Sequence, residues 1–318
     1  MSTRLPAHSF LLAARRGENK IWYYLAGILL VFMGSLIGSV PYSALVALNA
    51  RSGNPADMLD LSSAGIHPAV SLLLIMLSLA VIVPVLFFTV QYIHKRPFRT
   101  LFSGERRLRR DRMLFAAGLW LALMIVFEGV AWALHPDNYT FSFDAGQFFP
   151  TLLVALVMVP LQTSAEELLF RSYLMQGIGL GTGRPWVALL LTSAGFGLLH
   201  IANPEVAAFG PWLLLYYMGF GVAMGLATLM DEGVELALGV HAANNLYGAL
   251  VVTFPSSALQ TPALFTLKAY PALEMTLIWL VATLVFLGIV SKKYGWNDWR
   301  KLLERLAPAQ EAQAADLP

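Results

Sequence analysis

Apolar residues along this chain come in eight long runs, at 21–45, 69–93, 113–134, 148–170, 186–203, 212–230, 236–254 and 272–291. A helix needs about 20 residues to cross the hydrocarbon core of a bilayer, and each run comes close to that length. The pattern predicts an all-α fold, a polytopic membrane helical bundle of about eight transmembrane helices within 21–291. Residues 1–20 precede it and 292–318 form a tail. The first run follows Arg15, Arg16 and Lys20, as in the n-region of a signal peptide. Its apolar stretch is far longer than the ~7–15 residues of a signal h-region, so an uncleaved first span is expected.

Composition agrees. Of 318 residues, 58% are hydrophobic and 13% charged, with a mean hydropathy of +0.65, whereas a soluble domain carries roughly 25% charged residues. The absence of cysteine excludes disulfides, thiolate metal sites and a cysteine nucleophile. A net charge of +2 is too small to point to nucleic acid as a partner.

Charge sets an expected orientation. Between the second and third runs, Lys95, Arg96, Arg99, Arg106, Arg107, Arg109, Arg110 and Arg112 face only Glu105 and Asp111. The positive-inside rule makes this loop cytoplasmic, and eight spans then place both termini there too. The loop 135–146 has Asp137 and Asp144 but no Lys or Arg, as an outside loop should. The basic loop serves topology on this reading; binding of anionic lipid head groups is the alternative. In the tail, Trp296, Trp299, Leu302, Leu303 and Leu306 recur at helical spacing around Arg300, Lys301 and Arg305. That pattern predicts a short helix lying on the cytoplasmic interface, with a disordered end beyond Ala307.

Ionisable residues inside spans carry the chemistry, because each costs at least about 2.5–3.5 kcal/mol on insertion scales. Ser164-Ala165-Glu166-Glu167 ends the fourth run with two adjacent carboxylates, followed by Arg171. Arg171 lies one helical turn after Glu167 and can neutralise it. Glu166 projects about 100° away on a helix of 3.6 residues per turn and remains the available acid, which suits a general base. His200 closes the fifth run, and His241 and Asn245 share one face of the seventh at i, i+4 spacing. A hairpin closed near Gly183 brings Glu166 and His200 to one level. His241 follows Asp231-Glu232-Gly233 closely, so meeting His200 requires helices four and five to project beyond the bilayer, or 231–240 to dip into it. The site is expected in the cytoplasmic half, open to water on that side. Pro160 should kink span four, and Gly221 and Gly225 permit close helix packing. Glu128 reads as a satisfied acid near the outer interface and Glu274 as interfacial. His8, His67, His94 and His135 receive no role.

In this order, Glu166-Glu167-x-x-x-Arg171, Phe196-x-x-x-His200 and His241-x-x-x-Asn245 resemble the three motifs of the CPBP (Abi) family of intramembrane peptidases. That family includes the CAAX prenyl proteases and bacteriocin-processing or immunity proteins, and the resemblance covers about 148–255. It implies a CAAX-protease-like helical core that hydrolyses membrane-associated peptide or protein substrates with an activated water. Carried over, Glu166 and His200 activate the water, His241 and Asn245 stabilise the oxyanion, and Glu167 and Arg171 organise the site. Members of that family have been called metalloproteases, and a zinc version would use Glu166, His200 and His241. The spacing differs from His-Glu-x-x-His and Asn is a poor zinc ligand, so glutamate-type catalysis without a metal is expected here. Other readings are a catalytically silent scaffold or immunity protein and a proton-coupled transporter, against which the lack of inverted repeats counts. The expected location is a bacterial inner membrane.

Overall fold

A computed structural model describes residues 6–49, 65–104 and 107–307, and each of the eight apolar runs forms a helix in it. The traverses are α1 (Ile21–Asn49), α2 (Pro68–Ile93), α3 (Arg110–Leu134), α4 (Ala145–Thr182), α5 (Pro185–Leu199), α7 (Leu213–Asp231), α8 (Glu235–Leu250) and α9 (Ala272–Tyr294). A short α6 (Pro204–Phe209) joins α5 to α7. Among the described residues, six of these helices are long and apolar enough to cross a membrane. α5 and α8 have 15 and 16 residues, or roughly 22 and 24 Å at 1.5 Å per residue. Both fall short of the ~30 Å hydrocarbon core. The two histidine motifs lie on these short helices.

Local sequence explains where helices begin and turn. Asp144 caps α4, its Oδ1 accepting from the Gln147 amide at 3.0 Å, as N-terminal capping requires. Gly183, with φ 66°, ends α4 in the left-handed region, and Pro185 then opens α5 at its first turn. Within α4, Pro160 is followed by a π-helical stretch, Leu168–Leu174, immediately after the paired carboxylates. Such wide turns frequently mark functional sites.

In lipid, apolar burial gives helices little reason to associate, so close packing and polar bonds do that work. α8 is the central helix, packed against α3, α4 and α7, and its first half is almost wholly buried. Gly239 lets α3 approach so closely that an added Cβ would overlap the Met113 carbonyl oxygen. Gly221 does the same between α7 and α5, where a Cβ would lie 2.8 Å from the Ser193 Cα.

The two ends of the bundle differ. One gathers the segments around His8 and Lys301 and the basic connection: His8 Nε2 lies 2.7 Å from the Lys301 carbonyl, and Gly104 donates to the Glu232 carbonyl. The opposite end carries α6, the 254–270 connection and a three-stranded sheet ordered β1 (Tyr139–Phe141), β3 (Phe265–Leu267), β2 (Val252–Thr253). Strand β1 pairs antiparallel to β3, and β2 parallel. The apolar pattern did not reveal this small sheet, whose strands are two or three residues long.

Two expectations need correction at the basic end. The basic connection does more than fix topology, because it closes over the α7–α8 turn. Arg109 reaches Glu235 at 2.5 Å and Asp231 at 3.3 Å, and Arg112 pairs with Asp231. Arg96 is buried and donates to Gln176 Oε1 at 2.8 Å, and burial pushes its guanidinium pKa down. The tail is the second case. In place of the expected short helix it forms a single turn at Arg300–Leu302 docked on the bundle. Lys301 Nζ is buried 2.7 Å from Glu232 Oε1, and Trp296 and Leu306 are buried. Glu232, held at φ 55°, also accepts from the His8 and Phe10 amides at 2.8 and 2.9 Å. One carboxylate thus ties both terminal segments to the α7–α8 turn. His94, given no role above, is buried between the Glu18 carbonyl at 2.7 Å and the Tyr173 hydroxyl at 3.0 Å. The expected disorder beyond Ala307 and the charges at 105 and 106 lie outside the described residues.

Candidate active site

The turns of α4 just before its π-helical stretch bring Gln162 and Glu166 to the wall of a cavity of about 700 Å³. His200, just past the end of α5, and His241, Asn244 and Asn245 from α8 line the same cavity. Sequence spacing therefore anticipated four residues of one wall: Glu166, His200, His241 and Asn245. Glu167 and Arg171 stand behind it, their side chains 0% and 1% exposed.

These groups form a relay of charge. Arg171 Nη1 lies 3.2 Å from Glu167 Oε1, and its guanidinium rests 4.0 Å from the centre of the Phe196 ring, a favourable stack for a desolvated cation. The same Glu167 oxygen lies 2.7 Å from His241 Nδ1, and a carboxylate can only accept, so this nitrogen carries the proton. His241 Nε2 then faces Glu166 Oε2 at 3.5 Å. Phe196 and Phe220 enclose the imidazole, with ring centres 6.0 and 4.9 Å away. The expected Glu167–Arg171 pair is present, but it is one step in a chain that runs through His241 to Glu166.

His200 is held differently. Its Nδ1 lies 2.7 Å from the Phe196 carbonyl, which fixes the proton on Nδ1 and leaves the Nε2 lone pair free. The ring stacks on Tyr217 with centres 4.0 Å apart and planes at 20°. Because α5 stops at Leu199, His200 sits in a turn, and irregular backbone at membrane depth is tolerated where it lines a cavity.

Asn245 donates to Gln162 Oε1 at 3.4 Å and accepts from Asn244 at 3.2 Å. Trp120 fixes Asn244 by donating to its Oδ1 at 3.2 Å. Gln162 lies four residues before Glu166, and that spacing alone places it on the same helix face. Glu205 was missed for another reason, since its position between two apolar runs reads as a loop. It is buried in the cavity wall, where Tyr217 and Asn203 both donate to its Oε1. At the periphery, Glu128 accepts from the Tyr139 hydroxyl at 2.6 Å, and burial, with this bond, raises the Tyr139 pKa. Glu274 approaches His135 at 3.5 Å.

The cavity opens away from the side expected. Its lining residues outside the long helices are Asn203, Pro204 and Glu205, then Phe254, Ser257–Leu259 and Tyr270, all at the end opposite the basic connection. The 231–235 turn is sealed by that connection, by residues 8–10 and by Lys301. Burial raises the Tyr270 hydroxyl pKa at the mouth.

The zinc version asks Glu166, His200 and His241 to converge. Among the described residues no group of three or more His, Asp or Glu is arranged to hold a metal ion. His241 is engaged on one ring nitrogen by Glu167 and faces Glu166 with the other.

Three comparisons bear on these residues. Residues 146–247 match the sequence profile described as Rce1-like, type II CAAX prenyl endopeptidase. That segment contains all seven motif residues. The chain is 32% identical over 276 residues to the uncharacterized protein YyaK of Bacillus subtilis (strain 168), covering 86% of this chain and 92% of that protein. No solved structure matches.

Proposed function

Since the chain belongs to the Rce1-like family of membrane proteases, we propose that it is an intramembrane endopeptidase in which Glu166 and His200 activate water against a membrane-associated peptide. One observation carries this reading. A partly exposed carboxylate, a histidine with a free Nε2 and a carboxamide share one cavity, while the compensating Arg171 and Glu167 are buried behind it.

The chemistry runs as follows. Water gives one proton to Glu166, while its remaining O–H donates a hydrogen bond to His200 Nε2, which aims the oxygen. The hydroxide oxygen bonds to the scissile carbonyl carbon, and the carbonyl oxygen becomes an oxyanion facing His241 Nε2 and Asn245 Nδ2. The C–N bond breaks, and the proton held by Glu166 passes to the departing amine. A doubly protonated His241 would bring Arg171, Glu167, His241 and Glu166 to zero net charge and turn an N–H toward the oxyanion. A buried group of four charges is most tolerable when they cancel.

The protein is an integral membrane protein by family and helix composition. We place its basic end in the cytoplasm of a bacterial inner membrane, so the site opens outward. Purified protein in lipid should cleave a membrane-associated peptide. Glu166→Ala and His200→Ala should each lose at least about 10²-fold, the usual contribution of a positioned acid or base. Wild-type rates in both folded variants would end this reading. Activity should survive exhaustive chelation; loss on chelation with recovery on adding zinc would replace it with a metalloprotease.

A further inference from the structure

Beside the polar cavity lies a second, smaller one of about 200 Å³. Tyr216, Asn244, Gly248, Phe254 and Tyr270 line both, so the two meet along one seam. The smaller cavity is walled by α3, α8 and α9, with Trp120, Met124, Phe127, Ile278 and Trp279 facing it beside Tyr247 and Glu128, whose carboxylate accepts from the Tyr139 hydroxyl. Its volume is below the roughly 300–1,000 Å³ of an independent small-molecule site. It exceeds the about 150 Å³ in which an engineered apolar cavity holds one benzene ring. It is therefore the size of part of a ligand.

Gly248 gives the seam its significance. It lies inside α8, where glycine is disfavoured relative to alanine, and no close neighbour requires it. An added Cβ there would meet nothing within 4 Å, in contrast to Gly239 on the same helix, which backbone contact enforces. The missing side chain leaves open space at the junction of the two cavities. Trp279 Nε1 is buried beside it without a hydrogen-bond partner among the described residues.

We propose that the smaller cavity is a specificity subsite for one bulky apolar side chain of the substrate, aromatic by preference, and that Gly248 is its gate. Adjacency to Asn244 and Asn245 places that side chain next to the scissile bond, a placement that rests on the peptidase reading. The subsite itself rests on volume, lining and the open glycine.

The test uses full-length protein in lipid nanodiscs and one peptide scaffold carrying Ala or Phe beside the cleaved bond. Wild type should favour Phe in kcat/KM by at least about tenfold, a usual yield of filling an apolar pocket. Gly248→Leu should bring that ratio to about twofold or less. Gly248→Ala, with a melting temperature at or above wild type, shows that the helix accepts a side chain there. Separately, the same peptide bearing a diazirine-phenylalanine is photolysed with uncleaving Glu166→Ala protein. Adducts at Met124, Phe127 or Met275 support the subsite. Adducts confined to Met76 on α2, or none at all, overturn it, as does an unchanged Phe/Ala ratio in Gly248→Leu. Adducts in the small cavity without cleavage by wild type would keep the subsite and remove the peptidase reading.

Discussion

Arg171 and Glu167 illustrate what a residue's position in this fold demands. Glu167 is fully buried and has two partners on one oxygen, Arg171 and His241. Removing one partner of a buried pair typically costs about 3–5 kcal/mol, because the survivor's charge stays desolvated. Arg171→Leu should therefore lower the melting temperature sharply in detergent, whereas Glu166→Gln, at a partly exposed cavity wall, should hardly move it. Equal melting temperatures would show that the pair is not what holds this corner. At this scale the sequence was informative wherever two groups share a helix: Glu167 with Arg171 and His241 with Asn245 are readable from i, i+4 spacing. The link from His241 to both carboxylates was not readable, since it spans 74 residues and depends on how α8 enters the bundle. Glu205 escaped because a charge between apolar runs looks solvated until the fold buries it.

Among the elements, the short helices set the site. Runs 186–203 and 236–254 promised full spans, yet α5 and α8 end at Leu199 and Leu250. Hydropathy counts apolar residues and is blind to a helix that stops while the chain stays buried. That early stop turns His200 toward the cavity. α4 runs 38 residues, roughly 57 Å at helical rise, and the α7–α8 turn is covered by the basic connection rather than by water. The π-helical stretch after Glu167 left no mark in the pattern, because it follows from backbone hydrogen bonding. The α3–α8 contact offers a prediction. Gly239→Val should fail to accumulate or should melt well below wild type, since its Cβ would collide with the Met113 backbone. A wild-type melting temperature would mean that the two helices can separate at little cost.

Taken whole, the molecule has two unlike ends, and the basic connection lies at one of them. The segments around His8 and Lys301, the basic connection and the α7–α8 turn form one end; the sheet, α6 and the cavity mouth form the other. What the charge pattern could not convey is that many basic side chains are spent on internal acids. The cysteine-free chain permits a clean test of orientation. Arg107→Cys and Asp137→Cys place single thiols at opposite ends, and in intact cells an impermeant maleimide should label only Asp137→Cys. Labelling of Arg107→Cys alone would invert the protein and direct the cavity to the cytoplasm.

The central claim is that Glu166-activated water cuts a peptide bond within this cavity. Purified protein in liposomes, incubated with a membrane-associated peptide in ¹⁸O-water, tests it most directly by mass spectrometry of the products. The account predicts a new carboxyl terminus carrying one ¹⁸O from the wild-type protein and none from Glu166→Ala of equal melting temperature. Labelled product at the same rate from both proteins would contradict it.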